Sequence, residues 1–265
     1  MKILWLIFGL LLFLQPVCGT ERVVSLSPAV SEAVIAVGGK NLLCGRSSAC
    51  NIPAISHLPV AGTMGKPMPE KIFQLKCTLV VSDTRHPSRT WLLLQKSPVK
   101  VLMLPAKRLD DLPGNLRKLG NALGLAANAE KTASAFEAQL AALRRTVPSR
   151  KSKALVIFST TPAVTCGKES FITEALSLAG FESISGNMPG AYFTISREFI
   201  LKSRPEYIIS AGLPPQAVEK YFASPVFREI PAVKNSRFIH AETDTLCRLG
   251  INLPRAIHQL RNRHK

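Results

Sequence analysis

The sequence lacks the local motifs of the common enzyme classes. It has no G-x-S-x-G nucleophile elbow, no H-E-x-x-H zinc helix, no P-loop and no G-x-G-x-x-G turn. These absences argue against a hydrolase, a metalloprotease, an NTPase or a Rossmann dehydrogenase. A catalytic cysteine with a histidine base could be assigned to Cys50 and His57 or to Cys166 and His240, but no third residue in the sequence is seen to orient either pair. We therefore predict that the protein is not an enzyme, with a secreted enzyme of unknown chemistry as the alternative.

Acidic and aromatic residues are also scarce. The chain has 17 Asp and Glu against 34 Lys and Arg, a formal net charge of +17, and its aromatic content is 6%. A single-strand binder would interleave aromatic residues among its basic ones, and this pattern is absent, so we expect no nucleic-acid partner. The charge can serve general solubility, attraction to anionic lipid or cell-surface polymer, or an anionic ligand such as haem or a siderophore.

Low-complexity tracts, coiled-coil heptads and collagen periods are absent as well. Hydrophobic residues make up 46% of the 265 residues and charged residues 19%, which excludes a disordered chain. The length and composition predict a packed core, in one large domain or two small ones.

Long apolar runs are limited to one, Ile3–Val17, which is too short and too close to the N-terminus for a membrane-spanning helix. A single Lys2 precedes it, Pro16 interrupts it, and a small-residue site ends at Gly19. This order predicts a secretory signal peptide at residues 1–19 and an exported, periplasmic protein. The alternative is a lipoprotein anchored through Cys18.

No two cysteines form a C-x-x-C pair, which argues against a thioredoxin-like redox motif or a structural zinc site. Five cysteines remain after signal cleavage, an odd number that allows at most two disulfides and one free thiol in an oxidising compartment. The spacing leaves their connectivity open. A metal-cluster scaffold with cysteines at the cluster edges is a further alternative. The five are Cys44, Cys50, Cys77, Cys166 and Cys247.

Short β-rich runs alternate with helical stretches at both ends of the chain, which predicts an α/β fold with parallel sheets. Between them, a stretch from about 110 to 147 reads as helix with a break near Gly120 and Gly124. Its second part has no Gly or Pro, and its apolar residues recur at three- and four-residue steps. We predict an N-terminal lobe at 20–123, a bridging helix at 124–148 and a C-terminal lobe at 149–265.

An internal repeat supports two similar lobes. An offset of 128 places Glu70 on Glu198, and it places Leu79–Ser82 on Tyr207–Ser210. Both segments read as a helix, a short turn and a buried strand. Repeats of this kind indicate a reused supersecondary unit, although two amphipathic segments can also match by chance.

At these residues the chain resembles the substrate-binding proteins of ABC importers for cobalamin, haem and ferric siderophores, and it is most similar to the cobalamin-binding members. The resemblance covers nearly the whole mature chain, and it rests on an ordered set of short motifs. They are Arg22 to Ala29 with Glu32 and Gly38-Gly39, Gly45 to Ser48, Asn51-Ile52-Pro53, Gly65 to Glu70, Gly167 to Ser170, Ser196-Arg197-Glu198 and Pro254-Arg255.

The resemblance implies two α/β lobes with central parallel sheets joined by a single long α-helix, the helical-backbone periplasmic-binding-protein fold. It further implies a monomer that binds a metal-chelate small molecule between the lobes and delivers it to the permease dimer of an ABC transporter in the inner membrane. The expected ligand is a corrinoid such as cobalamin, with haem or a ferric siderophore as the alternative. No cofactor of the protein's own is implied.

The resemblance also implies functional residues. Glu70 and Glu198 match a pair of surface glutamates, one per lobe, that contact arginines of the permease; the alternative is an ordinary first-turn carboxylate favoured by the helix dipole. Ligand contacts are expected from loops after the strands. These are Ser27, Pro28, Ala29, Ala49, Cys50, Asn51, Met64, Gly65, Asp83, Val164, Gly167, Lys168, Tyr192, Phe193, Asp244 and Arg248.

The expected cleft departs from the cobalamin binders in having few aromatic residues. A corrin or porphyrin favours aromatic and apolar walls, yet this chain offers Ala49, Met64, Asp83 and Val164, and it keeps an aromatic residue at Tyr192. Met64 can substitute because methionine is apolar and adaptable. Tyr192 is either a haem axial ligand or a packed aromatic. Metal ligation by His57, by His86, or by the thiolates of Cys50, Cys166 and Cys247 is a further alternative.

Overall fold

The computed structural model describes residues 21–84, 88–241 and 246–263. The predicted signal peptide, Cys18, His86 and Asp244 lie outside the described residues. Among the described helices, none is long and apolar enough to cross a membrane.

A six-stranded sheet forms the centre of the first lobe, in the order β4-β3-β2-β1-β5-β6. Its neighbouring strands are parallel, except that β3 and β4 are antiparallel. The central strand is buried along its whole length, as expected for a parallel sheet covered on both faces. The strands are β1 (Val23–Ser25), β2 (Leu43–Ser47), β3 (Val60–Thr63), β4 (Lys66–Pro67), β5 (Leu79–Ser82) and β6 (Lys100–Met103).

Three helices of this lobe follow strands of the sheet: α1 (Pro28–Ala36), α2 (Pro69–Gln74) and α3 (Arg89–Gln95). Ser27 is the N-cap of α1: its Oγ accepts a hydrogen bond from the Val30 N–H, and Pro28 occupies the first helical position. Alternate strand residues point to opposite faces of the sheet. Val23 packs in one apolar cluster, and Val24 packs in another with Trp91.

Two consecutive helices follow β6, α4 (Asp111–Leu123) and α5 (Ala126–Arg145). Gly124 ends α4 in the left-handed conformation with φ +69°, and α5 then returns alongside α4. The two helices pack closely at Gly120, where an added Cβ would lie 2.1 Å from the Cβ of Ala129. The predicted break is therefore a turn at Gly124 between two helices, whereas Gly120 lies within α4 at its contact with α5.

The long helix α5 belongs to both cores. Ala129 and Ala133 pack in the core of the first lobe, whereas Phe136, Leu140 and Leu143 pack in the core of the second. One helix therefore joins two α/β lobes, which confirms the predicted fold class. The helix is shorter than the predicted bridge, because it begins at Ala126 and ends at Arg145.

The second lobe contains a parallel sheet in the order β10-β7-β12-β13 and a small antiparallel sheet in the order β11-β9-β8. Its strands are β7 (Ser152–Ile157), β8 (Ser159–Thr160), β9 (Ala163–Cys166), β10 (Phe181–Ser183), β11 (Tyr192–Thr194), β12 (Tyr207–Ala211) and β13 (Phe238–Ala241). Its helices are α6 (Phe171–Ala179), α7 (Arg197–Ser203), α8 (Pro215–Phe222), α9 (Pro231–Lys234) and α10 (Leu253–Asn262).

The internal repeat occupies equivalent places in the two lobes. Helix α2 leads into β5, which pairs with the first strand of its lobe, and α7 leads into β12, which pairs with β7 in the same way. Glu70 and Glu198 are each the second residue of their helix, and both are exposed.

Candidate ligand-binding cleft

A cavity of about 300 Å³ lies at the carboxyl ends of the first-lobe strands and takes residues from both lobes. Carboxyl ends of parallel strands meet at one edge of a sheet, which is where open α/β folds bind ligands. Its first-lobe wall follows β1, β3, β5 and β6, and it includes Ser27, Pro28, Ala29, Val30, Ala33, Met64, Asp83, Leu104 and Ala106. Its second-lobe wall includes Phe171 and residues 247–251.

The remaining wall comes from α4, which contributes Leu112, Leu116 and Leu119 together with one amide, Asn115. The Asn115 Nδ2 donates to the carbonyls of Leu104 and Pro105, at 3.1 Å each, and so fixes the chain after β6. The cavity is therefore mostly apolar, with a few placed polar groups, as is typical of small-molecule sites. The sequence analysis predicted helix here but did not assign it to the site, because its inward leucines look like ordinary core positions.

Arg248 joins the lobes beside this cavity. Its Nη1 lies 2.6 Å from Oε1 of Glu32 on α1, and its Nη2 lies 2.6 Å from Oδ1 of Asn51. The Asn252 Nδ2 donates to the other Glu32 oxygen at 3.2 Å. The ion-paired side chains retain 15% and 14% exposure, so the contact is largely shielded from water. Three predicted site features, Asn51, Arg248 and the motif residue Glu32, thus meet in one network.

A second, larger cavity of about 840 Å³ shares Glu32, Asn51 and Arg248 with this network. Its other walls come from Ile52-Pro53, from β13 and from α10, and they carry Arg255 and Arg263. The Arg263 Nη1 donates to the His240 carbonyl at 3.2 Å, and the His240 Nδ1 lies 2.7 Å from the Ser210 Oγ. This cavity is basic, in contrast to the apolar one.

Met64 is presented to the apolar cavity by a turn that is hydrogen-bonded on both sides. Gly65 adopts φ +66°, its N–H donates to the Leu26 carbonyl at 3.0 Å, and its carbonyl accepts from the Trp91 Nε1 at 2.8 Å. Trp91 is fully buried, whereas Met64 is 61% exposed. Trp91 is therefore a positioning residue that the sequence analysis missed; a buried tryptophan needs an acceptor for its N–H, but the sequence does not show which one.

Several predicted ligand residues of the first lobe lie elsewhere. Ala49 is exposed and does not line either cavity. Cys50 is buried in the first-lobe core, so its thiol is not presented to ligand. Gly65 forms the turn rather than the wall. Six predicted residues do line the apolar cavity: Ser27, Pro28, Ala29, Met64, Asp83 and Arg248.

The predicted ligand residues on the small antiparallel sheet and its loops line neither cavity. They are Val164, Gly167, Lys168, Tyr192 and Phe193. Tyr192 is half-exposed and packs edge-on against Phe158, with ring centroids 5.3 Å apart. Gly167 has a packing role, because an added Cβ would lie 2.6 Å from the carbonyl oxygens of Met188 and Gly190. The structure thus does not bring this group together with the first-lobe residues.

The cysteines are free thiols in the structure. Cys247 lines the apolar cavity, whereas Cys166 is buried behind the second-lobe sheet, where burial raises the pKa of its thiol to about 11. Within residues 21–84, 88–241 and 246–263, no group of three or more His, Cys, Asp or Glu is arranged to hold a metal ion.

Comparison with known proteins decides the family. The family model described as "Periplasmic binding protein" matches residues 23–245. This chain belongs to that family. The family consists of substrate-binding proteins for transport rather than enzymes and works with ABC-transporter permeases. The resemblance seen in the sequence motifs is confirmed.

Individual relatives agree with the family assignment. The chain is 30% identical over 212 residues to the vitamin B12-binding protein of Pectobacterium carotovorum subsp. carotovorum, a match that covers 78% of this chain and 76% of the relative. Two solved periplasmic binding proteins share its fold. The apo heme-binding protein RhuT from Roseiflexus sp. RS-1 has a TM-score of 0.83 at 22% identity and covers 92% and 98% of the two chains. The vitamin B12 binding protein BtuF of Vibrio cholerae has a TM-score of 0.79 at 23% identity and covers 92% and 96%.

Proposed function

We propose that this periplasmic binding protein captures a corrinoid in the cleft between its lobes, with part of the corrin ring in the apolar cavity, and delivers it to the permease of an ABC importer. The observation that carries the proposal is the cavity itself, which is walled by apolar side chains of both lobes and bordered by the Arg248 network. The relative from Pectobacterium, a vitamin B12-binding protein, supports the corrinoid as ligand.

The chemistry of the wall suits a large amphipathic ring system. Met64, Leu116 and Phe171 offer apolar contact to a ring face, while Ser27, Asp83 and Asn115 offer hydrogen bonds to peripheral amides. Arg248 is already held by the first lobe, so a ligand that engages it binds groups from both lobes at once.

A specific observation favours haem or a ferric siderophore as the second candidate. Arg255 and Arg263 line the larger cavity that adjoins Arg248. Guanidinium groups recognise carboxylates with two parallel hydrogen bonds, and carboxylates are present on haem and on many siderophores but are amidated on cobalamin. The basic cavity would hold these acidic arms while the apolar cavity holds part of the ring.

Permease docking through Glu70 and Glu198 forms the second part of the proposal. Residues 21–109 contain four acids, and three of them are engaged elsewhere: Glu21 pairs with Lys100, Glu32 pairs with Arg248 and Asp83 lines the cavity. Glu70 is exposed, and the exposed side chains of Met68 and Phe73 are its neighbours on the same short segment. An exposed carboxylate with apolar neighbours is suited to an arginine on a protein partner.

Glu198 occupies the equivalent place in the second lobe. It forms an ion pair of 2.8 Å with Lys202 one helical turn away, and both side chains are more than 70% exposed. Exposed pairs of this kind contribute little to stability, about 0.2–1 kcal/mol, so an arginine of the permease can displace Lys202 at low cost. The protein is proposed to act as a monomer in the periplasm after removal of residues 1–19.

The ligand is tested on purified residues 20–265. Cyanocobalamin, cobinamide, haemin and a ferric siderophore are mixed separately with the protein, free ligand is removed by desalting, and retained ligand is measured by absorbance and calorimetry. We expect a corrinoid to be retained at near one-to-one stoichiometry. Retention of haemin or of the ferric siderophore in its place would establish the second candidate, and retention of none of the four would overturn both.

The site is tested with a matched pair of exposed residues. Met64 lines the cavity and Tyr192 does not, although their side chains are exposed to similar extents, 61% and 51%. We expect Met64→Ala to weaken ligand binding about 5- to 30-fold, the loss of one buried apolar side chain, and Tyr192→Ala to leave it unchanged. The reverse result would move the site to the antiparallel sheet.

Docking is tested by separating uptake from binding. We expect Glu70→Ala with Glu198→Ala to reduce permease-dependent uptake at least 10-fold while ligand affinity stays within a factor of two. Glu182→Ala is the control, because Glu182 is an exposed carboxylate on β10. Equal uptake by the double variant and the control would refute docking through these two glutamates without affecting the ligand proposal.

A further inference from the structure

Two cysteines of the first lobe lie beside each other at the end of the sheet opposite the cleft. Cys44 is on β2, and Cys77 immediately precedes β5. These strands are not neighbours, since β1 runs between them. Both cysteines nevertheless pack in the same apolar cluster with Val24, Cys77 as a buried member and Cys44 as a half-buried one.

The backbone explains how the two side chains meet. Leu43 pairs with Val23 and Gly45 pairs with Val24, so Cys44 is the extra residue of a β-bulge. Bulges re-aim a side chain relative to a regular strand. On the other side, Lys76 has φ +49°, a left-handed conformation that turns the chain just before Cys77.

The two thiols interact through a hydrogen bond as well as through apolar packing. The two sulfurs are hydrogen-bonded to each other, and this bond, aided by the Arg22 guanidinium, lowers the pKa of Cys44 to about 7. The same bond and burial raise the pKa of Cys77. The Cys77 Sγ donates to the Leu79 carbonyl at 3.1 Å, so Cys77 keeps its proton and Cys44 is the sulfur that becomes the thiolate. Arg22 is itself fixed by hydrogen bonds of 3.0 and 2.8 Å to the Leu75 carbonyl.

We propose that Cys44 and Cys77 are a redox-active pair that closes to a disulfide by exchange with an oxidising disulfide. The Cys44 thiolate attacks one sulfur of the oxidant, forms a mixed disulfide and releases the first thiol. The Cys77 sulfur, after loss of its proton to water, then attacks the Cys44 sulfur and releases the second thiol. Two protein thiols are oxidised and one external disulfide is reduced, so electrons and protons balance.

The other three cysteines are less suited to this reaction. Cys50 is buried in the core on the opposite face of the sheet from Cys77. Cys166 is fully buried with a raised thiol pKa, so its thiolate is scarce at neutral pH. The half-buried Cys247 belongs to the cleft wall. Cys44 and Cys77 would therefore form one of the two disulfides that the cysteine count allows.

The bond would enclose the segment from β2 to the end of α2. This segment carries both the Met64 turn and Glu70, so the disulfide would tie the cavity wall and the proposed docking helix to the rigid end of the sheet. A covalent closure of this kind constrains the unfolded chain and stabilises the fold.

The test uses the whole mature chain. The protein is fully reduced, freed of reductant, exposed to oxidised glutathione under native conditions, alkylated and digested with trypsin. Each cysteine lies on its own tryptic peptide, and Cys44 and Cys77 fall on peptides 41–46 and 77–85. We expect these two peptides to be recovered linked, with a loss of about 2 Da in the intact mass, and the other three cysteines to be alkylated in the denatured digest.

Variants supply the second readout. Oxidation should raise the Tm of the wild type by roughly 5–10 °C, and it should leave the Tm of Cys44→Ser and Cys77→Ser unchanged. Cys166→Ser is the control and should retain the rise. The proposal is overturned if peptides 41–46 and 77–85 are recovered unlinked and separately alkylated, if either is linked to another cysteine, or if Cys44→Ser keeps the full increase in Tm.

Discussion

Arg248 Nη1 lies 2.6 Å from Oε1 of Glu32. The two residues are 216 positions apart in the chain, and their ion pair joins the two lobes. Both groups are mostly buried, so the loss of one leaves the other partly unsatisfied. We expect Glu32→Gln to lower the free energy of unfolding by about 1–3 kcal/mol. We also expect it to open the ligand-free protein, seen as a larger radius of gyration in X-ray scattering.

The control for this variant is an ion pair within one helical hairpin. Arg117 on α4 contacts Glu130 on α5 at 2.8 Å, and their side chains are 36% and 56% exposed. Because this pair is exposed to water, Glu130→Gln should change stability much less than Glu32→Gln, and it should leave the radius of gyration unchanged. An identical radius of gyration for Glu32→Gln and the wild type would show that the Arg248 contact does not hold the lobes together.

A second prediction concerns the hydrogen bond from Trp91 to Gly65. We expect Trp91→Phe to destabilise the protein by about 2–4 kcal/mol, because it removes a buried hydrogen bond and leaves a small void. Ligand affinity should also fall, since the Met64 turn loses its anchor. Calorimetric titration at a temperature well below the Tm measures the affinity.

Leu94 provides the comparison, because it is fully buried in the same cluster on the same helix but makes no bond to the turn. Leu94→Ala should cost a similar 2–5 kcal/mol, roughly, with unchanged ligand affinity. Equal losses of affinity in both variants would mean that Trp91 acts through general stability alone.

Much of the architecture was predictable because the repeat and the helical period are local signals. The sequence analysis placed β5 at Leu79–Ser82, as observed, and it identified the long helix within two residues at its start. The small antiparallel sheet was missed, since β8 has two residues and β11 three. Such short strands carry too little alternation to be recognised.

The site was predicted less completely than the fold, for a physical reason. Residues directly after β1, β3 and β5 were found, because strand ends mark them. The α4 wall and the Glu32 contact depend on which distant surfaces meet, and amphipathic periodicity alone does not encode the partner. Tyr192 was selected for its residue type, and the structure places it outside both cavities.

A third prediction compares two glycines of one helix. An added Cβ at Gly120 would lie 2.1 Å from the Cβ of Ala129, whereas a Cβ at Gly114 would meet nothing within 4 Å. Gly120→Ala should therefore force α4 and α5 apart and destabilise the protein by about 2–4 kcal/mol. Gly114→Ala should stabilise it by up to about 1 kcal/mol, because alanine is the better helix former. Denaturant unfolding measures both, and equal effects would contradict the close packing at Gly120.

A fourth prediction follows from the lowered pKa of Cys44. In the reduced protein the thiolate is the reactive species, so the alkylation rate of Cys44 should rise with pH and reach half its maximum near pH 7. An unperturbed thiol would reach half its maximum near pH 8.5. Mass spectrometry of peptide 41–46 after brief iodoacetamide treatment gives the rate. Cys166, whose pKa is raised to about 11, serves as the internal control and should stay unmodified throughout this range; a midpoint for Cys44 at or above 8.5 would contradict the assigned hydrogen bond.

The division of α5 between two cores has a consequence for folding. Ala129 and Ala133 complete one core, and Phe136, Leu140 and Leu143 complete the other. A first-lobe fragment that includes α5 would expose Phe136, Leu140 and Leu143 to water. A first-lobe fragment that ends before α5 would lack Ala129 and Ala133 in its core, and the second lobe without α5 would lack the other three residues. We therefore expect that neither lobe folds alone and that heat melts both in one cooperative transition.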